Sequence, residues 1–318
     1  MRICLISFDY WDYDHHIVNT LQKKGIDATH IDISKYKYVY KSVFEKLGNF
    51  LSKTFLKKNK KKINRQKYIL NTLEKIGKQD YILVIRPDLI DKPTHLAIKG
   101  FTKNYIAYIY DSCKRFPINH LLNDVFNRIF SFDLEDVKTY NFEHITNYIY
   151  LDKQDIRHDF EYDLFMVMSP DQRIKQLNKL AKKLDDNNVS YKFIVVSKKR
   201  PSNLYKGIEH SNNDIDTTQL NLYLNRSKVM LDLVRKGHNG LSFRIFEALA
   251  YQKKIITTNH TVKEYAFYKA NNILVLNDDD FSINPQFFKT EYIPLEKNIY
   301  YKFTVDHFVE QVFDLQKN

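Results

Sequence analysis

Glycine and proline are scarce in this sequence, seven of each in 318 residues, and cysteine occurs only twice. The first scarcity excludes collagen-like and low-complexity chains, and the second excludes a disulfide scaffold. Cys4 falls in the first apolar run and Cys113 more than a hundred residues later, which points to reduced thiols and a cytoplasmic setting. Long hydrophobic runs are also absent, since no stretch approaches the roughly 18–20 apolar residues that span a bilayer. The opening MRICLISFDYWDYD has a short apolar run followed at once by acidic residues, with no small-residue cleavage site, so no signal peptide is expected. What is present, 43% hydrophobic and 14% aromatic residues, is the composition of a folded protein. At this length one core is near its practical limit, and two domains of roughly 150 residues each are expected.

Charge is distributed unevenly. The chain carries a net charge of +12, and the segment Lys35–Lys78 accounts for it: 13 lysines and Arg65 face only Glu45 and Glu74. A neutral body with one cationic segment points to a particular anionic partner, membrane lipid or nucleic acid. Within the segment, Val39, Val43, Phe44, Leu47, Phe50, Leu51 and Phe55 recur at helical spacing while most lysines fall off that stripe. This predicts a basic amphipathic helix over 39–62. It reads either as an ordinary crossover helix with solvated lysines or as an anchor on an anionic leaflet. Few aromatic platforms interleave with the charge, so nucleic acid is the weaker match.

The apolar runs alternate with helical patterns. Arg2–Ser7 reads as a strand, Phe8–Asp14 as a loop, His15–Lys24 as a helix closed by Gly25, and Asp27–Ile33 as a strand; Tyr81–Ile85, Tyr105–Tyr110 and Arg128–Phe132 follow as strands. A second series starts at Leu164–Met168 and continues through strands at Tyr191–Val196, Val229–Leu233, Lys254–Thr257 and Ile273–Leu276, with helices at Gln172–Asp185, Leu220–Ser227 and Ser242–Tyr251. The expected architecture is α/β, two Rossmann-like domains facing each other across a cleft, with parallel sheets covered on both faces. The charged stretch Tyr150–Asp163 reads as the hinge, which gives domains 1–155 and 156–318, the second closing with a helix at Val305–Gln316.

Chemistry concentrates in Leu231–Asn259, LDLVRKGHNGLSFRIFEALAYQKKIITTN, where a buried strand enters a loop with Gly237 and Gly240 and then a helix opening near Ser242. Unpaired N–H groups and the positive dipole end of a helix first turn suit a diphosphate, and glycine permits its close approach. Arg244 offers a bidentate contact, and Glu247, three residues on, offers a carboxylate to ribose hydroxyls. Equally, Ser242 reads as an N-cap with Arg244–Glu247 as a surface ion pair. The stretch resembles the donor-binding element of GT-B glycosyltransferases, and GLSFRIFEALAYQKKIITTN is similar to lipopolysaccharide-core and capsule glycosyltransferases of the RfaS-like type. Glu247 matches the second of the family's two glutamates, the one that contacts the nucleotide ribose; Asn239 stands at the position of the first, which usually contacts the donor sugar, and Gly240, Leu241, Ser242 and Arg244 match the pattern.

The first loop, FDYWDYDHHIV, is similar to the same group through Tyr13, Asp14 and His16. In an open parallel sheet ligands bind beyond the carboxyl ends of the strands, where this loop lies. Asp14 or His16 is then expected to bind the acceptor or to remove its hydroxyl proton, against the plainer reading of Asp14 as a helix cap. Asp111 and Asp133 also follow strands and join the expected acceptor side, although each equally suits a cap or turn. Ser169, Arg173, Lys198 and Lys199 follow strands of the second series and are expected near the diphosphate. Asp12/Asp14 and Asp214/Asp216 have the Asp-x-Asp spacing of metal-dependent transferases but lie in unsuitable positions, and there is no zinc cluster, P-loop or nucleophile elbow.

The expected function is therefore metal-independent transfer of a hexosyl or deoxyhexosyl group from a nucleotide sugar to a glycan or glycolipid acceptor of surface polysaccharide. The anionic membrane surface is expected to be met through Lys35–Lys78, at the inner face of the plasma membrane, without a cofactor and without nucleic acid. The alternative is a non-enzymatic binding protein that uses the basic segment.

Overall fold

The computed structural model describes residues 1–9, 11–36, 42, 59–235, 237, 239–277 and 281–315. It divides into two compact units: Met1–Thr146 together with the residues from Phe308 onward, and Asn147–His307.

The first unit contains strands β1 (Arg2–Ser7), β2 (Asp27–Asp32), β3 (Gln79–Ile85), β4 (Thr102–Ile109), β5 (Arg128–Ser131) and β6 (Glu143–His144). Helices α1 (His15–Lys23), α2 (Lys60–Ile76), α3 (Lys92–Lys99) and α4 (Leu134–Tyr140) connect them. The sheet is parallel throughout, in the order β2-β1-β3-β4-β5-β6. Its strands are near-continuous apolar runs because both faces are covered. Cys4 and Ile6 share one core with Ile82, Val84, Tyr105 and Ala107, while Ile3, Leu5, Leu83 and Ile106 are buried on the other side. α1 buries Ile17, Val18 and Leu21 and ends as expected: Gly25 takes φ +76°, and the N–H groups of Gly25 and Ile26 reach the carbonyls of Gln22 and Leu21. That left-handed conformation costs glycine nothing in Cβ contacts.

The second unit contains β7 (Tyr162–Met168), β8 (Tyr191–Val196), β9 (Glu209–Ser211), β10 (Ser227–Asp232), β11 (Lys254–Thr257) and β12 (Ile273–Val275). Its helices are α5 (Ile174–Asp186), α6 (Thr217–Arg226), α7 (Phe243–Ala250), α8 (Gln286–Lys289) and α9 (Lys297–Tyr301). The order is β12-β11-β10-β7-β8-β9, again all parallel. Phe165, Met230 and Ile255 face one core; Leu164, Met166, Val229, Leu231 and Ile256 face the other. Each sheet is built outward in two directions from a central pair, β1/β3 in one unit and β7/β10 in the other. Loops leaving the carboxyl ends of such a pair diverge and open a crevice.

Two expectations change, and a third falls mostly outside the described residues. The predicted basic helix over 39–62 lies outside the described residues except at Ser42 and its last turn; the described helix is α2, capped by the Asn59 side chain, with Lys61, Lys62 and Lys67 exposed and Gln66, Ile69 and Leu73 inward. The division between units comes at 146/147, ahead of the expected 155/156. The closing helix α10 (Val305–Val312) belongs with the first unit from Phe308 on, where Phe308 packs on Tyr108, Glu310 pairs with Lys24 at 3.1 Å, and Arg128 donates to the Val312 carbonyl.

One buried histidine ties α3 to the sheet. His95 bridges Tyr105 Oη at 2.6 Å and the Pro87 carbonyl at 2.9 Å, and burial lowers its pKa from 6.5 to about 4. Unfolding lets it take up a proton, so this contribution to stability is complete above pH 6.5 and is lost as pH falls towards 4. We predict that denaturation of the first unit shows a loss of about 1.4 kcal/mol per pH unit in that window, and that His95→Gln flattens the slope.

Candidate functional site

In the second unit the site grows from Asp232, the last residue of β10 and 1% exposed. Its carboxylate accepts from Ser242 Oγ at 2.8 Å and Thr257 Oγ1 at 3.0 Å, and Arg244 Nη1 lies 3.5 Å away. Ser242 occupies the N-cap position of α7 in extended backbone, yet its hydroxyl turns to Asp232 and does not cap the helix. The cap side chain therefore leaves the positive end of α7 uncovered. Arg244, in the first turn, directs Nε and Nη2 at the Val167 carbonyl at 3.3 and 3.1 Å. One guanidinium thus links the ends of β7 and β10 at the crevice, rather than pairing with Glu247.

The loop before α7 is fixed from outside. The carbonyls of Asn239, Gly240 and Leu241 accept from Thr261 Oγ1 (2.7 Å), Asn259 Nδ2 (2.9 Å) and Asn147 Nδ2 (2.9 Å) respectively. Three consecutive carbonyls held by side chains set the orientation of the intervening peptides before any ligand arrives, and such preorganisation removes an ordering cost on binding. Glu247 is buried, and its Oε1 accepts from Tyr150 Oη at 2.7 Å. The ribose contact implied by the resemblance therefore competes with an existing bond.

Across the crevice, Ser169 is exposed at the end of β7. Arg173 is buried: it grips Asp171 and donates to the Leu233 carbonyl at 2.7 Å, and Arg235 holds the same Asp171 at 2.9 Å. Burial works against the Asp171 charge, but the two guanidinium groups overcome it and hold the carboxyl well below the usual range. Arg173 thus clamps the loop after β7 to the loop after β10, whereas Lys198 and Lys199 remain exposed.

In the first unit the central residue is Asp9, which the sequence reading did not select. Its two oxygens accept from the backbone N–H of Asp14 (3.1 Å) and of His15 (2.9 Å), so Asp9 holds the start of α1. Asp14 stands at the N-cap position, but its φ and ψ of −72° and −27° are helical and its side chain makes no cap bond. Its carboxyl is buried instead, and burial first, then the charges of Asp9 and Asp32, push its pKa up to about 8, against a hydrogen bond from Ser7. Ser7 Oγ lies 2.9 Å from His30 Nε2. Burial and the neighbouring Asp14 also push the Tyr110 hydroxyl upward. His16 is half-buried against His15, with ring centroids 4.0 Å apart, and Tyr13 is half-buried beside them.

The other acceptor candidates are engaged locally. Asp133 caps α4 through Glu135 and Asp136 N–H at 2.9 and 3.3 Å, and Asp111 pairs with Arg115 at 2.6 Å. The Asp12/Asp14 pair does not act together: Asp12 turns to His15 at 3.1 Å while Asp14 faces inward. Asp9, Asp12 and His15 bring one ligand atom each to within 4.8 Å of one another.

The Asp232 node makes a direct prediction. Asp232→Ala leaves Arg244 without its counter-charge and lowers the stability of the second unit by about 3–5 kcal/mol. Thr257→Val, which removes one bond, costs about 1 kcal/mol. Chemical denaturation of both variants checks the ranking.

Comparison with known proteins adds fold-level evidence. No protein-family model and no curated protein matches this sequence. Among solved structures, T4 phage BGT in complex with its UDP-glucose substrate superposes with a TM-score of 0.52 at 12% identity, over 99% of this chain and 100% of that one. The UDP-GlcNAc 2-epimerase of Methanocaldococcus jannaschii gives 0.49 at 12% identity, over 99% and 100%. A chain of the GtfA/B complex gives 0.47 at 9% identity, over 79% of this chain, and the present chain spans 61% of its length. The agreement with BGT, together with two six-stranded parallel sheets, shows the two-unit α/β architecture of GT-B glycosyltransferases.

Proposed function

We propose that the protein transfers a sugar from a nucleotide-diphosphate donor to a hydroxyl group of an acceptor. The observation that carries this reading is the position of Arg244: it sits in the first turn of α7 with its guanidinium at the carboxyl ends of β7 and β10, beside a helix start that its cap hydroxyl does not cover. A diphosphate bound there would meet the helix dipole, a cation and peptide groups already oriented by Asn259, Thr261 and Asn147. Charge developing on the leaving diphosphate would be neutralised by these groups, the metal-independent route. Glu247 enters chiefly as the partner of Tyr150.

For the first unit we assign proton removal to Asp14. A carboxylate with a pKa of about 8 is a far better base than an ordinary aspartate. The acceptor oxygen would bond to the sugar carbon as the bond to the diphosphate breaks, and the hydroxyl proton would pass to Asp14. His16 and Tyr13, beside this start of α1, are assigned to acceptor positioning. For the acceptor class we favour a glycan or glycolipid of lipopolysaccharide or capsule, and for the sugar a hexosyl or deoxyhexosyl group; the support is the likeness of GLSFRIFEALAYQKKIITTN to RfaS-like enzymes. The basic segment Lys35–Lys78 supports association with an anionic membrane surface, and no described helix is long and apolar enough to cross a membrane.

Two experiments test the reading. In a thermal-shift panel of UDP, GDP, dTDP, CMP and ADP, one nucleotide is expected to stabilise the protein, by about 2.7 kcal/mol at a hundredfold excess over its Kd, and Arg244→Ala is expected to remove the effect. No stabilisation by any nucleotide in folded protein would move the weight to a non-enzymatic binding role. For Asp14, the folded protein holds a proton between pH 3.8 and about 8 that the unfolded chain has released, so stability falls as pH rises through that window. Asp14→Asn is therefore expected to stabilise the protein at pH 7 while abolishing transfer, and wild-type kcat/KM is expected to rise with pH up to about 8.

A further inference from the structure

Ser7, the last residue of β1, is fully buried, yet its hydroxyl has two polar partners: it lies 2.9 Å from His30 Nε2 on β2 and is hydrogen-bonded to the Asp14 carboxyl at the start of α1. A hydroxyl has one proton to donate, so the direction of this three-group chain is set by what its ends carry. With Asp14 ionised, Ser7 donates to the carboxylate and accepts from His30 Nε2–H. With Asp14 protonated, the carboxyl donates to Ser7, and Ser7 to an unprotonated Nε2. Burial first lowers the His30 pKa below 6.5, opposed by the charges of Asp32 and Asp9 and assisted by those of Lys35 and His15. Above pH 7 the ring is therefore neutral and holds one N–H.

A base that takes the acceptor proton must lose it again before the next turnover, and Asp14 is only 5% exposed. Its other neighbours are occupied. Both Asp9 oxygens accept from backbone N–H groups, and Asp32 accepts from Ser34 and pairs with Lys35 at 3.2 Å. The Tyr110 hydroxyl, pushed up by burial and then by Asp14, keeps its own proton. Arg65 of α2 lies over the Phe8 ring at 5.6 Å, on the sheet face opposite Ser7. Of the three linked groups only His30 is half-buried and so within reach of water. We propose that Asp14, Ser7 and His30 form a proton relay that returns Asp14 to the carboxylate between turnovers. The inference rests on the transferase reading with Asp14 as the base. In the step, the Asp14 O–H bond breaks as a new O–H bond forms at Ser7 Oγ; the original Ser7 O–H bond breaks and an N–H bond forms at His30 Nε2. The transient imidazolium loses its Nδ1 proton to water, and exchange with water later restores the Nδ1–H ring. Ser7 and His30 touch no substrate in this scheme and act through Asp14.

Nitrogen-15 NMR of the histidine rings in the full-length protein, without any ligand, reads the position of the ring proton directly. The His30 signals are identified by their loss in His30→Gln. As pH rises through about 8, where Asp14 ionises, the His30 proton is expected to move from Nδ1 to Nε2. Ser7→Ala, which cuts the chain, and Asp14→Asn, which removes its titrating end, are each expected to leave one tautomer throughout. A wild-type ring that keeps a single tautomer from about pH 6.5 to 9.5 overturns the relay. So does a switch that survives in Ser7→Ala, because it would then report the charge of Asp14 through space. The nucleotide panel is read separately: a fixed tautomer with a positive panel refutes the relay alone, whereas a switching tautomer with a silent panel refutes the transfer reading and with it the relay's part in turnover.

Discussion

A single buried carboxylate organises the second unit. Asp232 takes the hydroxyls of Ser242 and Thr257 and stands beside the guanidinium of Arg244, so the end of β10, the end of β11 and the first turn of α7 are joined through one side chain. An aspartate 1% exposed is tolerable only because each neighbour donates to it or opposes its charge. The cost of burying it is offset by what it fixes: it draws the cap hydroxyl away from α7 and holds an arginine at the crevice. Stability and the proposed anion site therefore depend on the same contact.

The first unit uses a comparable device. Asp9 follows β1 as Asp232 ends β10, and it too fixes the start of the next helix, accepting from the N–H groups of Asp14 and His15. The consequence differs. At Asp232 a cation stands close by, whereas beside Asp9 the Asp14 carboxyl is buried, and burial first, then the charges of Asp9 and Asp32, push its pKa up to about 8. One unit thus sets a buried carboxylate beside a guanidinium, and the other a buried carboxyl among like charges. In the proposed reaction the cation would meet the leaving diphosphate, and Asp14, once it has lost its proton, would take the one from the acceptor hydroxyl.

Much of the framework was legible in the sequence because strands buried on both faces read as unbroken apolar runs. β1, β8 and β11 have the boundaries expected from composition alone, and Gly25 marks the end of α1 as expected. The short edge strands β6 and β9 carried no such run and were missed. The site was harder to read, because capping depends on backbone angles and not on residue type. Asp14 has the right identity for a cap but helical dihedrals, so the bonds come from Asp9, five and six residues upstream. Ser242 has cap dihedrals but a stronger partner in Asp232. Arg244 and Glu247 have the spacing of an ion pair, yet each is claimed from a distance, by Val167 and by Tyr150. The place of the last helix was likewise settled by long-range contacts to Tyr108, Lys24 and Arg128, which no local pattern encodes.

The central claim is that the loop before α7, with Arg244, is a diphosphate site. Hydrogen–deuterium exchange with and without the stabilising nucleotide tests it most directly, because slowed exchange reports which backbone amides the ligand covers. The account predicts protection concentrated in peptides spanning Asn239–Glu247 and Ser169–Arg173, with β8 and β9 unchanged. Protection confined to other segments, or none in the loop before α7 under saturating nucleotide, would contradict it.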